Sequence, residues 1–436
     1  MTKQEAENYI SDIPRFADKT GPENTERLMK ILGNPEKQAK TVHVAGTNGK
    51  GSVSRMMSLF LTEAGFKTGL FLSPHLVRIN ERISVQGVDI SDDDFARIFD
   101  IVKEASDTLV KEGGSHPAYF EFLFAMGAVY FAEQKCDYVV YETGLGGRLD
   151  ATNCIEPCIT AITEIGYDHM QYLGDTIEKI AAEKAGIIKK GIPLVYFTGR
   201  VSANRILEHT AREKGCPAFN ACWTNVEIKE ENKGKIDFSL DTRYYTYDNL
   251  VLNAAPRYQT RNAATAVYMF DRLFHGWDVS KKHEIIRKGL DRFKMDGRFQ
   301  YLKENVILDG AHNEDAVNEL IDSLRSRYSN FGSMKKKLLF AIASDKDYEK
   351  VINEMAFGIR PEKVYITELS SGRRLNKQIA EESFKSKLGD KVTVSCHDEA
   401  GEAYKAALAE LKDDELLIVT GSLYLLGELL SQENKL

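Results

Sequence analysis

Residues 42–54 read VHVAGTNGKGSVS. A short apolar run enters a loop of small residues, and a helix-patterned stretch leaves it. No other segment constrains the fold as strongly. A strand that feeds a glycine-rich turn and then a helix belongs in a parallel α/β sheet, with an anion held at the helix N-terminus. Yet the strict pattern G-x-x-x-x-G-K-[ST] fails. Position 44 is Val, and Lys50 is followed by Gly51, which moves the hydroxyl to Ser52. Residues 46–52 are small enough for their backbone N–H groups to face a phosphate. Lys50 can reach terminal phosphates, and Ser52 can cap the helix or approach a metal.

The rest of the chain repeats this grammar. Strands are predicted at 41–46, 137–142, 158–163 and 191–197, with helical stretches between them, the first over Ser52–Ala64. That alternation predicts a mostly parallel sheet. Residues 223–252 instead alternate with period two and turn at Asn232–Gly234, so a small antiparallel sheet is expected there. Helices follow over Thr260–Leu273 and 281–293. After the turn MDGR (295–298), a second βα series begins, with strands at 305–309, 337–343, 363–368, 391–395 and 415–420. We therefore expect two α/β domains, 1–296 and 297–436. A chain of 436 residues is long for one core, which agrees with two.

The net charge of −7 argues against a nucleic-acid partner, which needs a basic face. It does not exclude small anions in a local basic pocket. The six cysteines form no C-x-x-C pair and no disulfide framework. No apolar run approaches the roughly 18 residues of a spanning helix, and residues 1–16 lack a secretory pattern. We expect a cytoplasmic protein, away from membranes, with a monomer as the default state.

Several residues carry candidate chemistry. Glu142 ends a buried strand, where α/β proteins place ligands and where a carboxylate can hold Mg2+. The adjacent GLGG fails the dinucleotide pattern at Leu149, which disfavours a dehydrogenase. His169 follows the strand at 158–163, with Asp168 beside it, and metal ligation through imidazole is plausible chemistry there. In the next helix, Asp175 with Glu178 reads as a capping box, and Ile177, Ile180, Ala181 and Ile188 form an apolar stripe that includes Lys184. An inward lysine is costly unless paired or neutralised; burial favours its free amine, which can act as a base or react with CO2. It can also snorkel to solvent. Ser73 and Pro74 mark a loop after GLFL, and Arg78, Glu81 and Arg82 cluster beyond it, where an anion can be gripped. In the second domain, Asp309 ends a strand and His312 and Asn313 follow it. Arg298 lies at the interdomain turn, and a cleft between the domains is the expected site.

Taken together, AGTNGKGS, LSPHL, NERISVQG, ETGLGGRLDATN, IGYDHMQYLG, EKAGIIKKG, RNAATA, LDGAHN, SDKD and TGSLYLLGE resemble the folylpolyglutamate synthetase / dihydrofolate synthetase branch of the Mur-ligase superfamily. These stretches run in order from residue 45 to 428. The resemblance implies a P-loop ATPase domain joined to a Rossmann-like C-terminal domain. It implies an ATP-dependent amide ligase: a folate carboxylate is phosphorylated by ATP, and the amine of L-glutamate displaces the phosphate. It also implies residue roles. Gly46, Thr47, Asn48, Gly49, Lys50, Gly51 and Ser52 would hold phosphates, with Asn262, Arg298 and Asp309 as further nucleotide contacts. Ser73 and Glu142 would hold one Mg2+, and His169 a second. Lys184 would be N6-carboxylated. Lys50, Lys184, Asp309 and His312 would be catalytic.

The chain departs from the family pattern at four places. Glu164 replaces a serine, Asp296 a proline, and Phe124 a threonine. Arg257 and Tyr258 replace a Gly-x-His element. The last two departures, Phe124 and the Arg257–Tyr258 pair, flank regions expected to shape the pterin pocket or the nucleotide site. Two other readings are a Mur-type ligase for another amino-acid acceptor and a P-loop nucleotide switch without ligase activity.

Overall fold

The structure is a computed structural model that describes all residues except 1, 15–21, 224, 233, 243, 254, 371, 390–391 and 434–436. The first sheet has eight strands: β1 (Lys40–Ala45), β2 (Thr68–Phe71), β3 (Ile83–Val85), β4 (Val88–Asp89), β5 (Tyr138–Glu142), β6 (Pro157–Ile162), β7 (Leu194–Tyr196) and β8 (Ala218–Asn220). Their order is β4-β3-β2-β5-β1-β6-β7-β8. The run from β2 to β8 is parallel, and β3 and β4 add an antiparallel edge. The expected mostly parallel sheet is present. The central strand β1 carries Val42 and Val44, both fully buried, as a strand covered on both faces requires.

The helix Lys50–Glu63 packs on one face through Met56, Met57 and Phe60, beside the helix Gln259–Leu273. It starts two residues earlier than the sequence predicts. Gly49, at φ +86, already turns the chain, so no side-chain cap is needed. Ser52 therefore lies inside the helix and does not cap it. The other helix-covered layer holds Ile162, Ile165, Ile177, Ile180 and Ala181. In this layer the helix Ile177–Ala185 is capped by Thr176, whose hydroxyl accepts from Lys179 N at 3.2 Å. The expected capping role of Asp175 falls away: its carboxylate pairs with Lys179 Nζ in solvent.

The antiparallel sheet is formed by β9 (Asn225–Glu231), β10 (Lys235–Asp241) and β11 (Thr246–Asn253), with β10 central. The turn at Asn232–Gly234 forms because the Asn232 side-chain oxygen accepts from Gly234 N (2.9 Å) and Lys235 N (3.0 Å). The turn's middle residue, Lys233, lies outside the described residues. Ile236, Phe238 and Leu252 bury this sheet on the first core.

The last sheet runs β12 (Gln300–Lys303), β13 (Val306–Asp309), β17 (Leu416–Thr420), β14 (Lys336–Phe340), β15 (Lys363–Ile366) and β16 (Thr393–Cys396). All pairings are parallel except β12 with β13. Helices cover both faces, one through Val317, Leu320, Ile352 and Phe384, the other through Ala403, Leu425 and Leu426. This is a doubly wound α/β unit, and its carboxyl strand edge faces that of the first sheet. Among the described residues, no helix is long and apolar enough to cross a membrane.

Candidate active site

Both strand edges open on one cavity of about 790 Å3. From the first sheet it receives the loop after β1, Ser73 after β2, Glu142 at the end of β5, and Thr163–His169 after β6. From the last sheet it receives Asp309 and His312 after β13, Asp345 and Lys346 after β14, Arg373 after β15, and Ser422–Tyr424 after β17. The residues to which the sequence or the resemblance gives a binding, metal or catalytic role all line it, while Arg78 and Asn313 do not. Arg78 pairs instead with Asp92 at 2.6 Å on the surface. Glu81 turns inward to accept from Leu76 N, Val77 N and Arg78 N, so it shapes the loop.

The variant loop now has a physical reason. Lys50 Nζ folds back over it and donates to Gly46 O (3.1 Å) and Thr47 O (3.2 Å). A Cβ on Gly49 would stand 2.4 Å from Asn262 Oδ1. A Cβ on Gly51 would stand 3.0 Å from Met295 Cε and 3.5 Å from Glu142 Oε2. The glycine of the Lys-Gly-Ser order thus avoids a tight contact with Met295 while Glu142 packs against the loop, and the hydroxyl shifts one place on. There Ser52 Oγ accepts from Gln259 Nε2 at 3.0 Å, while Gln259 Oε1 accepts from Asn262 Nδ2 at 2.8 Å. Gln259 is fully buried and holds both groups in place, a role not read from the sequence.

Glu142 is buried, and its main direct donor is Ser73 N at 2.9 Å. Burial pushes its carboxyl up to about 7, against the opposing charges of Lys50 and Arg298. Lys184 is 3% exposed and donates to Gly46 O at 2.7 Å, so it does not snorkel. Burial, with the Lys50 charge beside it, lowers its amine to about 7. The LDATN stretch is explained by Asp150. Its carboxylate gathers Leu145 N (2.8 Å), Thr152 N (3.0 Å) and Thr152 Oγ1 (2.6 Å), which fixes the GLGG turn.

The second half of the site is an ionic cluster. Asp168 accepts from Lys346 Nζ at 2.6 Å, and His312 Nε2 lies 3.7 Å from its other oxygen. Burial raises the Asp168 pKa, but contact with His312 and the Lys346 and His169 charges outweigh it, so the carboxyl stays well below its usual range. His169 adopts φ +49, with Nε2 3.2 Å from Lys346 Nζ and a buried Nδ1 that makes no hydrogen bond and lies 4.0 Å from Asp345 Oδ2. Burial lowers its pKa to about 4. Asp309 is also buried, accepting from Phe299 N and Ala311 N and from Tyr258 Oη at 3.3 Å. Burial raises its pKa, with Arg298 opposing. Asn48 and Asn313 join their side-chain amides across the cleft, at 3.0 and 3.3 Å.

The sequence departures divide. Glu164 and Asp296 line the cavity, and burial with the Glu319 and Asp315 charges pushes Glu164 up to about 7. Tyr258 lines it too, while Arg257 is held at the surface by Glu231. Phe124 does not shape the site. It is fully buried, with its ring 5.3 Å from that of Tyr141. Lys346 and Arg373 were not singled out as site residues. Lys346 lies in the SDKD stretch that carries the resemblance, and the signal for Arg373 is that it follows a predicted strand at the ligand-bearing edge.

Residues 44–269 match the Mur ligase middle domain family, and residues 297–423 match the Mur ligase glutamate ligase domain. The chain is 34% identical to a dihydrofolate synthase/folylpolyglutamate synthase of Bacillus subtilis, over 98% of both chains. It belongs to the folylpolyglutamate synthase/dihydrofolate synthase family of Mur ligases. Solved structures agree. The folylpolyglutamate synthase of Thermotoga maritima superposes with a TM-score of 0.82 at 32% identity, covering 98% of this chain and 95% of that one. E. coli FolC in complex with DHPP and ADP superposes at 0.86 with 28% identity, covering 100% and 98%.

Proposed function

We propose that the protein is an ATP-dependent ligase that adds L-glutamate to the carboxylate of folate, tetrahydrofolate or their polyglutamates, releasing ADP and phosphate. One observation carries the reading. A phosphate loop with its lysine, a buried carboxylate, a buried amine and an Asp–His pair converge on one cavity between two sheets. A nucleotide switch has no need of the second half of that set. Dihydropteroate is a second acceptor in this reading, supported by the bifunctional name of the Bacillus subtilis relative.

A carboxylate is a poor electrophile, so it must first become a good acyl donor. An acceptor oxygen attacks the γ-phosphorus of ATP, ADP leaves, and an acyl phosphate forms. The glutamate amine then attacks the acyl carbon, phosphate leaves with the acceptor's oxygen, and an amide remains. Gly46–Ser52 hold the phosphates, with Asn262 and Arg298 as further nucleotide contacts, and Lys50 offsets charge on the transferring group. The His312 Nδ1 lies 2.8 Å from Gly310 O, which can only accept, so Nδ1 carries a proton, and Nε2, 3.7 Å from Asp168 Oδ2, is the ring nitrogen open to the cavity for proton exchange with the amine. Asp309 orients this loop through its bonds to Phe299 N and Ala311 N. The aromatic end near Arg82, Tyr119 and Phe120 suits the acceptor's flat ring system.

The donor set fits Mg2+. Glu142 is a desolvated carboxylate facing the loop, Ser73 lies beside it, and His169 presents a buried nitrogen that makes no hydrogen bond. When bound, Mg2+ neutralises phosphate charge during transfer. Ser73 and Glu142 would hold one ion and His169 a second. Lys184, a buried amine with a lowered pKa, is proposed to carry an N6-carboxylate formed with CO2, which would place an anion where the buried amine stands and could help to hold an ion.

The domains are assigned as 1–296 and 297–436. All six cysteines are free, which suits a reducing cytoplasm, and a monomer completes the cavity by itself. The test is ADP formation measured with each substrate omitted in turn. ADP that depends on both glutamate and folate is expected; AMP as product, or turnover indifferent to folate, contradicts the reading.

A further inference from the structure

Arg373 is a cation at the cavity rim that the phosphoryl chemistry leaves unused. It sits between β15 and the helix Lys377–Leu388. Its carbonyl accepts from Ser344 N at 2.7 Å, which ties its loop to the one that carries Asp345 and Lys346. Its guanidinium donates to Asp345 Oδ2 at 3.1 Å and makes a long 3.5 Å contact with Tyr424 Oη. Its Nε is buried and has no acceptor. The side chain is still 30% exposed. A guanidinium has five N–H donors, so most of this fork is uncommitted.

The neighbouring cation is in a different position. Lys346 is 10% exposed and is already bonded to Asp168 at 2.6 Å. On the opposite wall, Lys50 belongs to the phosphate loop. An amine substrate with two carboxylates enters a cavity that also holds Glu142, Asp168, Asp345 and nucleotide phosphates. Its binding needs a cation on the wall facing away from the phosphates, and among the described residues of the loops after β14 and β15, Arg373 keeps open donors. The planar fork matches a carboxylate in two-point contact, and Asp345 fixes its plane by holding one edge.

We infer that Arg373 binds a carboxylate of the incoming amino acid and so selects glutamate over neutral amines. The inference rests on the ligase reading. The test compares kcat/KM for L-glutamate, L-glutamine and glutamate α-amide in wild type, Arg373→Ala and Arg373→Lys, with ATP and folate saturating. The alanine variant is expected to lose on the order of 10²-fold on glutamate, mainly through KM, while KM for ATP stays within about 2-fold. The lysine variant keeps the charge but not the fork, and falls between. The alanine penalty is expected to collapse on one amide and persist on the other: on glutamine if the side-chain carboxylate is read, on the α-amide if the α-carboxylate is read. Where an amide turns over too slowly, its Ki against glutamate gives the same comparison. An equal penalty on all three amines, or a parallel rise in KM for ATP, would mark a loop-supporting residue and overturn the inference. Wild-type ADP formation that ignores glutamate would overturn the ligase reading itself, before any variant is compared.

Discussion

The two walls of the cavity are built on different principles. The wall from the first sheet is set by backbone and burial. Its phosphate loop is held by Thr163, Gln259 and Asn262, and its charged groups, Glu142 and Lys184, are almost dehydrated. The wall from the last sheet is set by side chains that reach across. Lys346 holds Asp168, Asn313 meets Asn48, and Arg200 pairs with Asp315 at 2.8 Å. A wall of fixed dipoles stabilises a charge that develops in place. A wall of cross-cleft ion pairs depends on how the two halves meet, and it can read the substrate that arrives last.

This contrast orders the expected effects of mutation. The largest belongs to the first wall. Lys50→Ala removes the cation over the phosphate loop and should lower kcat by about 10³-fold, read as steady-state ADP release; near-wild-type turnover would place the phosphoryl chemistry elsewhere. Lys184→Ala should cost about 10²-fold, and acetate or formate should restore part of it by returning a carboxylate to the vacated space. Lack of any loss removes the carboxylation proposal.

A smaller effect separates the walls. Asp168→Asn leaves Lys346 and His312 without their shared anion. It should raise KM for glutamate about 10-fold while barely changing KM for ATP. Equal changes in both constants would mean that the cross-cleft pairs serve the whole cavity. Smallest is Tyr258→Phe, which removes one neutral hydroxyl from Asp309. It should cost about 1 kcal/mol of stability in urea unfolding, with kcat lowered only a few-fold.

Burial also gives a pH test of the first wall. The Lys184 amine is lowered from 10.5 to about 7 in the folded chain. Between those values the unfolded chain holds one more proton, so this group makes stability rise with pH from about 7 towards 10.5 and lowers it as pH falls to 7. Lys184→Met should lose that slope relative to wild type in CO2-free buffer, measured by urea unfolding at pH 7, 8 and 9. A difference between the two proteins that does not change with pH would mean the amine is not desolvated.

The first wall was the more legible in the sequence. A strand, small residues and a helix follow from local patterning, and Lys184 announced itself because apolar neighbours at helical spacing leave a lysine no other face. The second wall was less so. Lys346 and Arg373 lie in short loops after strands, and nothing local tells a solvated loop cation from one that crosses a cleft. One local reading failed: Asp175 suited a capping pattern, but packing gave the helix cap to Thr176. Phe124 itself lies in the core, while residues 118–121 of the same stretch line the cavity.

The most direct test of the central claim follows the oxygen. With an acceptor folate labelled with 18O in its carboxylate, single-turnover reaction with ATP and glutamate is expected to deliver one 18O into the released inorganic phosphate, because that oxygen attacks phosphorus and leaves with it. Phosphate that carries no 18O would contradict an acyl phosphate, and with it the role given to every residue around the loop.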